Sequence, residues 1–210
     1  MIRKLFPLLI LAAVLSTASY GQSARKVLDA TAARMTKTGG VKAEFKVTQF
    51  NGATPQSETT GIMLINGKSF YMSTNEVNIW YDGKTQWSMM KNGIEVNISE
   101  PDEDDLAEMN PAVIVNIYKR GFNYSMSKST LRGRPTFVVH LWPKHKGSDF
   151  SDIFVDIDQS NYNPLCIRAK RNGDWVRLSI LSFQNGFVFP ASTFTFPKKE
   201  YPNIEVIDLR

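Results

Sequence analysis

The chain has 210 residues, a formal charge of +5 and 42% hydrophobic residues, with 13 Phe, 7 Tyr and 4 Trp but one Cys. This length supplies one domain with a sizeable core, the charge is too mild to mark a nucleic-acid binder, and a lone cysteine excludes an internal disulfide. Stability must therefore come from packing.

The first 21 residues read as a secretory signal peptide. Arg3 and Lys4 precede an apolar run from Leu5 to Leu15, and small residues follow; the run is too short and wrongly flanked for a spanning helix. Ser19 and Gly21 place small residues where a signal peptidase reads, so cleavage is expected after Gly21, leaving residues 22–210 as a single exported domain. No cysteine follows the run, so no lipid attachment is expected on this chain.

Val27, Leu28, Ala32 and Met35 then lie along one stripe that Gly39-Gly40 ends, predicting an amphipathic helix of about three turns. From Val41 the period changes to two. Val41, Ala43, Phe45 and Val47 alternate with Lys42, Glu44, Lys46 and Thr48, a half-buried strand. Turn signals recur after it at Asn51-Gly52, Asn66-Gly67, Asp82-Gly83, Asn92-Gly93, Gly133, Gly147, Asn172-Gly173 and Asn185-Gly186. Asn-Gly and Asp-Gly accept the positive φ of two-residue hairpins, so most neighbouring strands should pair antiparallel. Segments such as VNIWY, KTQWSMM, PTFVVHLW, DIFVDID, LCIRAK, WVRLSILSF and STFTFP bring the expected total to roughly eleven or twelve strands.

One stretch interrupts them, residues 100–121. Pro101 and the acids after it suit the start of a short helix, and Pro111 opens a second one carrying Val113, Ile114, Ile117 and Tyr118; a strand is the competing reading of that β-branched run. Charge is uneven here, with six acids in residues 100–108 and seven Lys or Arg and no acid in residues 119–148. Solvated faces explain the pattern, and a patch that docks on a partner or an anionic membrane is the sharper reading.

An antiparallel sheet of this size curls into a barrel or an open half-barrel. Phe45, Val47, Met63, Phe70, Met72, Ile79, Trp87, Met89, Ile94, Val96, Phe122, Tyr124, Phe137, Val139, Trp175 and Phe183 are the inward candidates. The helical segments are too short to cover so wide a face. The sheet either closes on its own side chains or keeps an apolar cavity for a ligand. Methionines at 63, 72, 89, 90 and 126 suit an adaptable wall and equally suit plain core filling.

Residues for catalysis or metal binding do not assemble. His140 and His145 flank Pro143 without convergent spacing, no Gly-x-Ser-x-Gly occurs, and Cys166 reads as a buried strand thiol with no histidine near it in sequence. Asp152, Asp156 and Asp158 share one strand face and read as solvated outer carboxylates. A non-enzyme without metal or organic cofactor is expected.

The collinear order of these features resembles a known family. VKAEFKVTQFN, GIMLINGKSFYM, WYDGKTQW, the helical interruption with NPAVIV, and the closing FPASTFTFPKKEYPNIEVIDLR are similar to LolA, the periplasmic carrier of outer-membrane lipoproteins, over nearly the whole mature chain. The resemblance implies a mainly β, α+β fold: an incomplete antiparallel barrel of about eleven strands whose concave apolar face is lidded by short helices. It implies a monomeric periplasmic carrier that binds the acyl chains of lipoproteins and takes them from an inner-membrane lipoprotein-releasing transporter to the outer membrane. By position, Trp80 and Trp87, with Tyr81, join the cavity, while Leu28 and Met35 on the first helix and Val113, Ile114 and Ile117 on the second form the lid. Where the family holds its lid with an arginine followed by proline, this chain has Lys68 and no proline. The competing reading is a periplasmic lipid-sensing domain on the same scaffold that docks a membrane-bound signalling partner.

Overall fold

The computed structural model of the chain describes residues 24–36, 39–102, 106, 118–119, 121–145 and 148–210. Residues 1–21, and with them the expected signal peptide, lie outside these, as do Gly147 and, from the expected second helix, Val113, Ile114 and Ile117. Helix α1 spans residues 24–36. Ala24, Val27, Leu28, Thr31, Ala32 and Met35 form its buried stripe, a spacing of three and four that keeps one face on the sheet. The buried Thr31 hydroxyl donates back to the Val27 carbonyl at 3.0 Å, so this polar side chain enters the apolar stripe satisfied.

Twelve strands follow: β1 (Gly40–Asn51), β2 (Thr54–Asn66), β3 (Ser69–Thr74), β4 (Val77–Tyr81), β5 (Gln86–Met90), β6 (Glu95–Ser99), β7 (Phe122–Leu131), β8 (Arg134–Pro143), β9 (Phe150–Asp158), β10 (Pro164–Arg171), β11 (Asp174–Phe187) and β12 (Glu205–Asp208). They form one open sheet in the order β12-β6-β5-β4-β3-β2-β1-β11-β10-β9-β8-β7. Each neighbouring pair is antiparallel except β12, which runs parallel beside β6. The half-open mainly β architecture read from the sequence is the one observed.

Turn chemistry explains the hairpins. Arg132-Gly133 and Asn172-Gly173 link their strands with both residues at positive φ, the mirror-image turn that matches strand twist. Arg132 holds its unusual φ of 50° while its guanidinium donates to the Ile180 carbonyl of β11 at 3.0 Å. In a flat sheet the three spacings from β8 to β11 would amount to about 14 Å, so this contact needs the β7–β8 tip to roll inward along the sheet. In the β4–β5 turn Asp82 Oδ1 accepts from the Lys84 and Thr85 amides at 2.9 and 2.8 Å, which accounts for the Asp in WYDGKTQW.

Three expectations are corrected. Asn185-Gly186 is no turn but part of β11, where Gly186 has φ 94° and passes so close to Gly39 that a Cβ on Gly39 would stand 3.0 Å from the Gly186 Cα. STFTFP is no strand: Ala191–Phe194 form a 3-10 turn, because the paired edge available to this segment lies further on, at β12. β12 itself goes beyond the expected elements, since a strand of four residues carries too little alternation to register.

Candidate functional site

Cross-strand register assigns each strand's two faces. Met63↔Met72, Phe70↔Tyr81 and Met72↔Ile79 place these residues side by side on the face that α1 covers, here the inner face. On the far wing Val139, Leu141, Ile153, Val155 and Ile157 complete it at 0% exposure. Phe45 packs its ring over Gly61: a Cβ there would stand 2.7 Å from the ring and 2.5 Å from the Ser73 carbonyl oxygen. Gly61 is thus the cradle that lets Phe45 lie down on the sheet.

Around this core runs a half-buried apolar fringe that includes Val47, Met72, Val77, Tyr124, Met126 and Leu178. Such surface can accept hydrocarbon without further unfolding. The cover is joined to the rest by side chains. Tyr118 donates its hydroxyl to Asp29 Oδ1 of α1 while its ring meets Tyr124 edge-on at 6.2 Å. Burial, and next that bond to Asp29, push the Tyr118 phenol well above its ordinary pKa. Near the other end of α1, Arg34 Nε donates to Asn163 Oδ1 at 3.1 Å. These contacts join residues too distant in sequence for any spacing pattern to signal.

Of the residues read from the sequence, Phe45, Val47, Met63, Phe70, Met72, Ile79, Phe122 and Tyr124 lie together on the inner face, with Leu28 and Met35 of α1 against them. Tyr81 belongs there too, as alternation from Ile79 would have indicated. Trp80, Trp87 and Met89 do not. Register pairs Trp80 with Trp87 and Asn78 with Met89 on the opposite, outer face, where Val96 joins them in a separate cluster under Tyr71, Phe196, Tyr201 and Ile204. Trp80 meets Phe196 edge-on at 5.4 Å, and Phe196 stacks on Tyr201. Both faces of β4 are therefore covered, so bulk and hydrophobicity do not mark its inner one. Ile94 is 78% exposed in the turn before β6. Trp175 also faces outward, 6.0 Å from Phe154.

The outer carboxylates are not solvated as expected. Asp156 and Asp158 are 6% and 4% exposed. Asp156 lies 3.3 Å from Arg168, yet burial pushes its carboxyl above the usual range. Burial pushes Asp158 the same way, but Ser160 and Arg134 outweigh it and hold it below. His140 stacks on Phe154 at 4.2 Å and lies 2.9 Å from Asp152, a bond that draws the Asp152 carboxyl down. A hollow of about 540 Å³ beside Arg134, Asp158, Ser160 and Asn161 is lined by no residue of the apolar inner face. Cys166 is a buried free thiol on β10. Lys68 sits exposed in the β2–β3 turn beside Gly83.

No helix among the described residues is long and apolar enough to cross a membrane. Residues 15–174 match the sequence profile of a family described as outer membrane lipoprotein carrier protein LolA. No curated protein matches the chain. An uncharacterized conserved protein of Thermus thermophilus has a similar structure, with a TM-score of 0.61 at 12% identity over 89% of this chain and 99% of that one. A LolA superfamily protein of Nitrosomonas europaea gives 0.46 at 10% identity over 82% and 97%. A chain of the MucA/MucB complex of Pseudomonas aeruginosa gives 0.45 at 12% identity over 84% and 62%. At such identities the likeness to the Thermus protein is one of fold.

Proposed function

Because the chain belongs to the family of outer membrane lipoprotein carrier protein LolA, we propose that it is an exported, non-enzymatic carrier that shelters the acyl chains of lipoproteins on its inner face and ferries them across the periplasm. One observation carries this reading: the protein's broad apolar face is covered by α1, a helix attached through side chains such as Tyr118–Asp29 and Arg34–Asn163, with no backbone hydrogen bond to a strand among the described residues. A cover of this kind can shift without disturbing any strand pairing. The need is large. Three acyl chains of about fifteen carbons, at about 0.8 kcal/mol per CH₂, amount to roughly 35 kcal/mol as an upper bound for keeping them from water. Bare diffusion between membranes is excluded at that cost.

In this role the signal peptide is removed near Gly21, the carrier works as a monomer, and an inner-membrane lipoprotein-releasing transporter loads it. Purified residues 22–210 mixed with a detergent-solubilised lipoprotein, then diluted free of detergent, should yield a soluble one-to-one complex by size exclusion. Met72→Glu, which puts a charge on the half-buried inner fringe, should abolish it. Absence of any complex, together with capture of a membrane-bound signalling protein by cross-linking in membranes, would instead make the domain a lipid sensor.

A further inference from the structure

Where the inner face passes onto β5 and β6, its chemistry changes. Register carries it from Tyr81 to Gln86 and from Ile79 to Ser88, then from Gln86 to Ser99 and from Ser88 to Asn97. Two apolar residues of the floor are thus followed, strand by strand, by four neutral polar side chains. Ser88, Asn97 and Ser99 are half-buried. Gln86 is 9% exposed, and its side-chain oxygen is buried without a hydrogen-bond partner among the described residues. A buried carbonyl oxygen left unpaired is costly to the fold, and such groups in native proteins call for a reason. Trp87, Met89 and Val96 of these two strands point to the other face, and Met90, on the strip's own side, stands opposite Val77 at the end of β5 and is 56% exposed, so the polar strip is not the accident of strands that lack apolar residues.

Resting on the carrier reading above, we propose that the strip of Gln86, Ser88, Asn97 and Ser99 seats the polar head of an acylated cargo, the ester and amide linkages that join its chains, while the chains run over the neighbouring floor of Ile79, Tyr81 and Met72. The inventory matches this chemistry. The Gln86 oxygen takes an amide N–H of the N-acylated cysteine, and the Asn97 amide and the serine hydroxyls donate to ester carbonyls, which only accept. An aliphatic ligand without such a head fills the floor and leaves Gln86 unpaired.

The test titrates the mature chain with three probes: a dipalmitoylglyceryl, N-palmitoyl cysteinyl peptide, a dipalmitoylglycerol with the esters but no amide, and palmitate with neither. Gln86→Leu should bind palmitate as the unchanged chain does, lose about tenfold for the peptide, as for one buried hydrogen bond left unmade, and lose little for the diacylglycerol. Without cargo it should melt no lower than the unchanged chain, because the substitution removes an unpaired group. A lower melting temperature, an equal loss for all three probes, or no loss for any would each overturn the proposal while leaving the carrier reading intact. Failure of the unchanged chain to bind the peptide and palmitate alike would remove the carrier reading and this one with it. Should Gln86→Leu not fold, Ser88→Ala with Asn97→Leu, both half-buried, should weaken the peptide and the diacylglycerol together and leave palmitate unchanged; an equal loss for all three probes, or no loss for any, would overturn the proposal.

Discussion

Strands β3 and β4 feed two apolar clusters, one on each face, and the two are closed in different ways. The outer cluster of Trp80, Met89 and Val96 is small and aromatic, and its cover is the C-terminal segment itself, fastened by the β12–β6 pairing and by Phe196 and Tyr201. The inner cluster is much larger, and α1 lies on it through packing and side-chain bonds. A cover held by backbone ladder opens only by breaking the sheet. One held by side chains opens at the cost of those contacts alone. The outer side is closed by the sheet's own ladder, and the inner side by a helix that can shift without breaking it.

Trp80→Ala is expected to give the largest effect, a loss of about 3–5 kcal/mol in denaturant unfolding, with acyl-chain affinity of the remaining folded protein unchanged. A fall in affinity would show that the faces are coupled and break the contrast. Gly61→Ala should follow at about 1–3 kcal/mol, since its Cβ would meet the Ser73 carbonyl and the Phe45 ring; here both stability and binding should drop, because Phe45 is lifted off the inner face. Tyr118→Phe removes the hydroxyl bonded to Asp29 and should cost about 1 kcal/mol. Its signature is local: faster hydrogen exchange over residues 24–36 with no change in β12. Equal acceleration in both covers would contradict the distinction drawn here.

The smallest effect concerns the outer wing. The Asp152 carboxyl is lowered in the fold by its bond to His140, so its stabilisation is present above its unfolded pKa and is lost as pH falls through the lowered folded value. Asp152→Asn should therefore cost less than about 1 kcal/mol at neutral pH, solvent screening included. That difference should close in acid, and lipid binding should not follow it.

How far the sequence reveals this arrangement depends on whether one or two faces of a strand are buried. β1 alternates cleanly, and Phe45 and Val47 are legible as inward residues because Lys42, Glu44 and Lys46 mark the solvent side. VNIWY is legible as a strand, and Asp82-Gly83 as its turn. Its faces are not legible, because Ile79 and Trp80 are both buried, each in a different cluster. One step of parity then sends Trp87 and Met89 inward on the sequence pattern and leaves Gln86 and Ser88 unmarked. The pairing of Asp29 with Tyr118 and that of Arg34 with Asn163 have no sequence signature. The Asn185-Gly186 dipeptide misleads because its glycine serves close backbone approach within β11 and not chain reversal.

The pairing at the centre of the sheet bears on how the chain folds. β1 and β11 meet along almost their whole lengths, bringing Gly40 opposite Phe187, while most other neighbours are hairpins between consecutive strands. Two wings can form from local contacts, but the seam between them closes a loop of well over a hundred residues and must wait for nearly the entire chain. We expect pulse-labelled amides of β1 and β11 to gain protection after those of β3–β4 and β8–β9; simultaneous protection would disprove this order. A molecule zipped last at its waist stays unfinished until almost all of its strands exist.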